Sequence, residues 1–160
     1  MLDAKRRSPT VDRVHAILLM AAIPGLICLY WITYFSTDLT LPTFAIHPAS
    51  LTSTNLTSIY FGFENAFPAP DAFVAITSAV AGLYLLAGDP KAALFGIYSN
   101  GGLMFLALID MYFNILEHFY TRKSLVGGDA LNIEITINIV CFFGSLWSVW
   151  RLWGHPLRKI

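Results

Sequence analysis

Charge is the scarcest property of this sequence: Asp, Glu, Lys and Arg make up 12% of its 160 residues, hydrophobic residues make up 56%, and the formal net charge is zero. So little charge excludes an ordinary solvated globular surface. The even balance leaves no basic field for a nucleic-acid partner. Cysteine is almost missing. Cys28 and Cys141 fall in different apolar runs, so the chain has no C-x-x-C pair, and both read as small packing residues. There is no H-E-x-x-H, H-x-x-E-H or paired His-Cys spacing, so no metal and no cofactor are implied. Residues 36–70 contain neither Lys nor Arg, and the chain carries no internal repeat and no low-complexity tract.

What the chain does have is long apolar runs. Four lie near residues 14–35, 72–88, 92–119 and 131–153, and each reaches the roughly 17–25 helical residues that cross a hydrocarbon core. The expected fold is all-α: one integral membrane domain over residues 1–160, an antiparallel four-helix bundle with a long, partly ordered outer loop at 36–70. The first run follows basic residues, but "TYFSTDLT" offers no small-x-small cleavage site, so it reads as a retained anchor. Pro24 and Gly25 predict a kink within it. "GDPK" at 88–91 predicts a tight turn that makes the second and third spans neighbours.

The few charges are unevenly placed. Lys5, Arg6, Arg7, Arg13, Lys91, Arg151, Arg158 and Lys159 fall on one side of a four-span topology, with Arg122 and Lys123 opposite. The positive-inside rule then puts both termini in the cytoplasm, in a plasma or inner membrane. The outer loop is too long to be structureless, and "STNLTSIYFGFENAF" predicts a short interfacial helix. Asn55-Leu56-Thr57 matches a glycosylation sequon on that side.

Helical spacing sorts the remaining polar residues into seams. Asp71, Ala75, Ser78 and Gly82 share one face of the second span, opposite Phe73, Val80 and Tyr84. The third span aligns Gly96, Ser99, Asn100, Leu103, Ala107, Asp110, Asn114 and Glu117 against Phe105, Leu108, Ile109, Tyr112 and Leu116. In the fourth, Glu134, Asn138, Cys141, Ser145 and Ser148 oppose Phe143, Trp147 and Trp150. Membrane helices pack through small residues and polar bonds, so these seams should meet inside, with Ala21, Gly25 and Cys28 completing the bundle. His15 and His155 read as surface residues, and the facing of Tyr30 and Tyr98 stays open.

Topology gathers the acids at one end. Asp71, Asp110, Asn114, Glu117, His118, Asn132 and Glu134 all fall toward the outer leaflet, with Glu64 just above them. Asp110 is the deepest acid, about 9 Å below the end of its helix by helical rise. Acids at such depth mark functional sites by default, because an uncompensated carboxylate there is costly. The cations on that side of the protein are Arg122, Lys123, His118 and His47.

The reading favoured is an outward-facing acidic and amide pocket, bounded by spans two, three and four. Asp110, Asn114, Glu117, His118, Glu64, Asp71, Glu134 and Asn138 would bind a small ligand, a cation or a lipid headgroup there. Plain helix-to-helix bonding by the same groups is the bland alternative. Another is a membrane-embedded enzyme using Asp110, Glu117, His118 and Glu134 as acids and bases on a lipidic substrate. A third is an accessory subunit that meets a membrane-protein partner through Trp147, Trp150 and Trp153. The missing C-x-x-C excludes a vitamin K epoxide reductase type of bundle. "AFVAITSAVAGLYLL" lacks the basic, Asn and Glu residues of membrane glutathione transferases. "YFGFENAF" with "LIDMYFNILEHFY" faintly resembles acid-dependent sterol-isomerase bundles without keeping their spacing, and no family is assigned.

Overall fold

The computed structural model describes residues 9–35, 54–118, 120 and 128–153, without the side chains of 9, 54–58 and 128–134. Among the described residues every regular element is helical: α1 (Pro9–Ile17), a π turn (Leu18–Ala22), α2 (Ile23–Phe35), α3 (Thr54–Glu64), α4 (Pro68–Ala87), α5 (Lys91–Leu116) and α6 (Gly128–Trp153). Among the described residues, four stretches are long and apolar enough to cross a membrane: Thr10–Phe35, Pro68–Ala87, Lys91–Leu116 and Ile135–Trp153. This is an integral membrane protein. The antiparallel four-helix bundle expected from the sequence is present, and α3 occupies the stretch expected to form a short helix.

Helix limits follow local chemistry. Pro68 and Pro70 begin α4, where a missing N–H costs nothing. That start is earlier than the apolar run implied, so Asp71 sits within the first turn rather than ahead of it. Gly88 ends α4 at φ 69°, and the Asp89 N–H returns to the Tyr84 carbonyl at 2.9 Å. Asp89 Oδ1 then accepts the Lys91 N–H at 2.8 Å and opens α5. The third span ends at Leu116, short of the expected 119, because Glu117 and His118 form a turn with His118 at φ 57°. The fourth begins at Gly128, ahead of the expected 131.

The first span absorbs Pro24 without breaking. Proline has no N–H, and its ring crowds the carbonyl four residues back. The turn before it relaxes to π geometry, with the Ile23 N–H bonded to the Leu18 carbonyl. One extra residue per turn rotates everything beyond it by about 100° relative to an unbroken α-helix. The expected inner face Ala21, Gly25 and Cys28 is therefore wrong as a set: among the described residues of this span, His15 and Ala16 before the π turn, Leu19 within it, and Thr33 and Tyr34 after it are the buried ones. Cys28 is exposed instead of packed.

The other seams hold with shifts. α4 packs on α5 and α5 on α6, while α1, the π turn and α2 pack on α4. α4 buries Val74, Thr77, Ser78, Ala81, Gly82 and Leu85. Thr77 joins the seam because its hydroxyl donates back to the Phe73 carbonyl at 2.7 Å. Gly82 lets the first span approach: an added Cβ would lie 2.7 Å from the Ala16 carbonyl oxygen and 2.8 Å from Met20 Cβ. Beside it, Ser78 donates to the Leu19 carbonyl at 2.6 Å, and Ser99 ties α5 to the Val74 carbonyl at 3.2 Å. Gly96 accommodates Leu152 of α6. Phe105, Tyr112 and Trp150 point outward, each more than 60% exposed, as lipid-facing residues should.

Candidate functional site

At the α3 end of the bundle lies a cavity of about 480 Å³. Its floor and back come from Leu103, Leu106, Ala107 and Asp110 of α5 and Asp71 of α4. One wall is Leu26, Ile27, Leu29 and Tyr30 of α2, and the other is Thr136, Ile137, Asn138, Val140 and Cys141 of α6. Glu64 and Phe67 close the end. The first span thus contributes a whole wall, where spans two, three and four alone were expected to bound the pocket. The lining is mainly apolar, with its polar groups gathered at one end. Leu26 and Val140, 59% and 58% exposed, stand at the outer edges of the two walls.

Three carboxylates reach this space from three different elements. Glu64 is the last residue of α3, and the short turn through Asn65, Ala66 and Phe67 brings α4 back beneath it, so Glu64 and Asp71 share one cavity. Each acid has neutral donors. Tyr30 donates to Glu64 Oε2 at 2.8 Å, and Trp31 Nε1 donates to Asp71 Oδ2 at 2.8 Å. Asp110 accepts from Asn114 Nδ2 at 3.1 Å, one helical turn on, and from Asn138 Nδ2 across the α5–α6 seam. Asn138 Nδ2 also reaches the Tyr120 hydroxyl at 3.2 Å.

An aromatic roof seals the end. Tyr34 and Tyr60 are buried among Tyr30, Trp31, Phe61, Phe113, Tyr120 and Ile135, and Phe63 stacks on Phe113 at 3.7 Å. Beneath it Glu64 is 4% exposed. Burial pushes its carboxyl up to about 8, the Asp110 charge adds to the rise, the Tyr30 and Tyr60 hydrogen bonds oppose it, and Asp71 raises it further. At neutral pH Glu64 is mostly a neutral acid, able to donate a hydrogen bond.

Among the eight residues singled out by sequence, Glu64, Asp71, Asp110 and Asn138 line the cavity. Asn114, fully buried, orients Asp110 from behind. Glu117 and His118 lie on the turn past α5 and are not among the lining residues, because the helix ends one turn earlier than its apolar pattern implied. The Glu134 and Asn132 side chains, His47, Arg122, Lys123, His155 and the Asn55 side chain lie outside the described residues. Sequence reasoning missed Trp31, Tyr60 and Tyr120 and left Tyr30 open. The signal available was Tyr30-Trp31, two polar-tipped aromatics at the depth of acids on other spans. Among the described residues, no three His, Cys, Asp or Glu side chains converge to hold a metal. The ion pair found among them, Arg151 with Asp12 at 3.0 Å, lies at the opposite end of the bundle.

Comparison with models of protein families, with curated proteins and with solved structures finds no match to this chain.

Proposed function

We propose that this protein, a single transmembrane domain, binds a small membrane-borne amphiphile with a protonated nitrogen at its head. The observation that carries the reading is an apolar cavity whose polar end holds Glu64, Asp71 and Asp110 on neutral partners. Asp71 and Asp110, held by indole and amide donors, keep lone pairs for a cationic ligand, which an Arg or Lys partner would have occupied, and neutral Glu64 adds a further hydrogen-bonding group. The apolar walls suit an alkyl or ring body, and a volume of about 480 Å³ lies within the roughly 300–1,000 Å³ of small-molecule sites. The exposed edges at Leu26 and Val140 favour entry sideways from the bilayer, between α2 and α6.

The distribution of Lys and Arg supports cytoplasmic termini and an acid end on the opposite face, in a plasma or inner membrane. An enzyme built on Asp110 with Glu117 and His118 would need those three at one point. With the latter two beyond the cavity lining, binding is the reading carried forward.

Dodecylamine and dodecanol, matched in chain length, test the proposal in protein reconstituted into nanodiscs. A buried charge-assisted bond is worth about 1.5–3 kcal/mol, so the amine should bind about 10–100-fold more tightly. Asp110→Asn should remove most of that preference in a protein that keeps its helical circular dichroism. Equal affinity for amine and alcohol in the wild type would end the reading.

A further inference from the structure

The half of the bundle below the cavity contains polar groups that the binding site does not use. Two contacts fix the register of α5 against α6: Asp110 bonds Asn138, and Gly96 receives Leu152. Between them, antiparallel helices of equal rise put Leu103 level with Ser145 and Asn100 level with Ser148. Leu103 on the floor and Cys141 in the α6 wall line the cavity, and Ser145 follows one turn beyond Cys141 on the same stripe of α6.

Two side chains in this layer have atoms without partners among the described residues. Asn100 is 1% exposed and Ser145 is 2% exposed, yet Asn100 Oδ1 and Ser145 Oγ meet no hydrogen-bonding group. Asn100 spends its amide nitrogen on the Gly96 carbonyl at 2.7 Å. A buried polar atom left unbonded costs about 1–3 kcal/mol, and bridging water is the usual remedy at a polar, enclosed place.

The layer continues to a histidine. Ser148 Oγ is 2.7 Å from His15 Nε2, and the His15 ring, 2% exposed, leans on Trp147 at 5.1 Å between centroids. One turn before His15, Asp12 pairs with Arg151, whose guanidinium lies over the Trp147 ring; the Asp12 side chain is 27% exposed and meets solvent. The reading of His15 as a surface residue is thus overturned, because α6 covers it. The groups around it are Asp12 and Arg13 on its own helix and Arg151, Ser148 and Trp147 on α6.

We propose that water held at Ser145 and Asn100 links the cavity floor to Ser148 and His15, forming a polar column that carries protons between the cavity carboxylates and the membrane face at which α1 begins. Imidazole suits this place because its two nitrogens can take up and release a proton on opposite sides. Each transfer forms one N–H or O–H bond as another breaks, with water as the only co-reactant. The column uses the cavity's acids but not the identity of the cavity's ligand.

Proton uptake into proteoliposomes, driven by a potassium diffusion potential with valinomycin and read by a trapped pH dye, tests it. The wild type should exceed protein-free liposomes at least tenfold. Asn100→Leu and His15→Phe should each return most of the way to that baseline, while Tyr98→Phe, on the exposed face, should not. Wild-type uptake equal to protein-free liposomes overturns the proposal, and needs no variant to fold. Unchanged uptake in folded Asn100→Leu overturns it equally. Dodecylamine binding measured on the same preparations separates this failure from failure of the binding reading.

Discussion

Glu64 makes the sharpest quantitative test of the site. Its folded-state pKa is raised from 4.5 to about 8, chiefly by burial under the aromatic roof. The sign follows from linkage. Between those two values the unfolded chain releases the proton while the folded protein keeps it, so the folded state binds more protons and loses stability as pH rises. Below the unfolded value the acid is neutral in both states and no penalty exists. Each pKa unit corresponds to about 1.4 kcal/mol, which sets a ceiling of about 5 kcal/mol, and water entry on ionisation should reduce the observed cost to about half of that. Glu64→Gln keeps an acceptor for Tyr30 and never ionises. Unfolding of both proteins in one detergent, followed by circular dichroism from pH 5 to 9, should therefore give a wild type that weakens relative to the Gln variant by a few kcal/mol. Titrating groups that do not interact with Glu64 are common to both and cancel in the difference, leaving Glu64 and its coupling to Asp110 and Asp71. Parallel curves, or a wild type that gains on the variant as pH rises, would refute a buried neutral Glu64.

Removing one donor should move that profile. Tyr30→Phe deletes a bond that favours the ionised form, so the weakening should begin at the same pH but extend to higher pH and grow larger, read in the same titration. Gly82→Ala should destabilise by about 1–3 kcal/mol, because the new methyl meets the Ala16 carbonyl and Met20 backbone rather than a yielding side chain. Gly101→Ala, with nothing within 4 Å, should be neutral or gain up to about 1 kcal/mol from helix propensity, and both are read as midpoints of thermal unfolding. Gly88→Ala, at φ 69°, should cost about 1 kcal/mol in the same assay.

The spans and their polar seams were legible because lipid enforces a simple code. Small and polar residues turn inward where they can bond, and Phe105, Tyr112 and Trp150 turn outward. The approach of Glu64, Asp71 and Asp110 followed from topology, since all three lie toward the same end of the bundle, and Asn138 came from the polar seam of the fourth span. What escaped was phase and partnership. A single helical wheel drawn through the first span cannot see the π turn, so it missed the buried Tyr34 and the wall that α2 gives the cavity, while His15, at the span's edge, is buried by α6 across the bundle. The pairing of Trp31 with Asp71 and of Tyr30 with Glu64 depends on that phase, and no spacing within one helix encodes a bond across two. Glu117 and His118 looked helical because apolar residues surround them, but the chain leaves the helix at Leu116.

The widened turn at Leu18–Ala22 divides the first span into two halves whose azimuths are set separately. The lower half is pinned by Ser78 and Gly82, whereas the upper half presents Tyr30 and Trp31 to the carboxylates. Deleting one residue at that joint would restore a regular α-helix and swing both aromatics away from Glu64 and Asp71 without altering any residue that lines the cavity. Chain length at this joint is therefore a tuning element for the acids, adjustable independently of their chemistry.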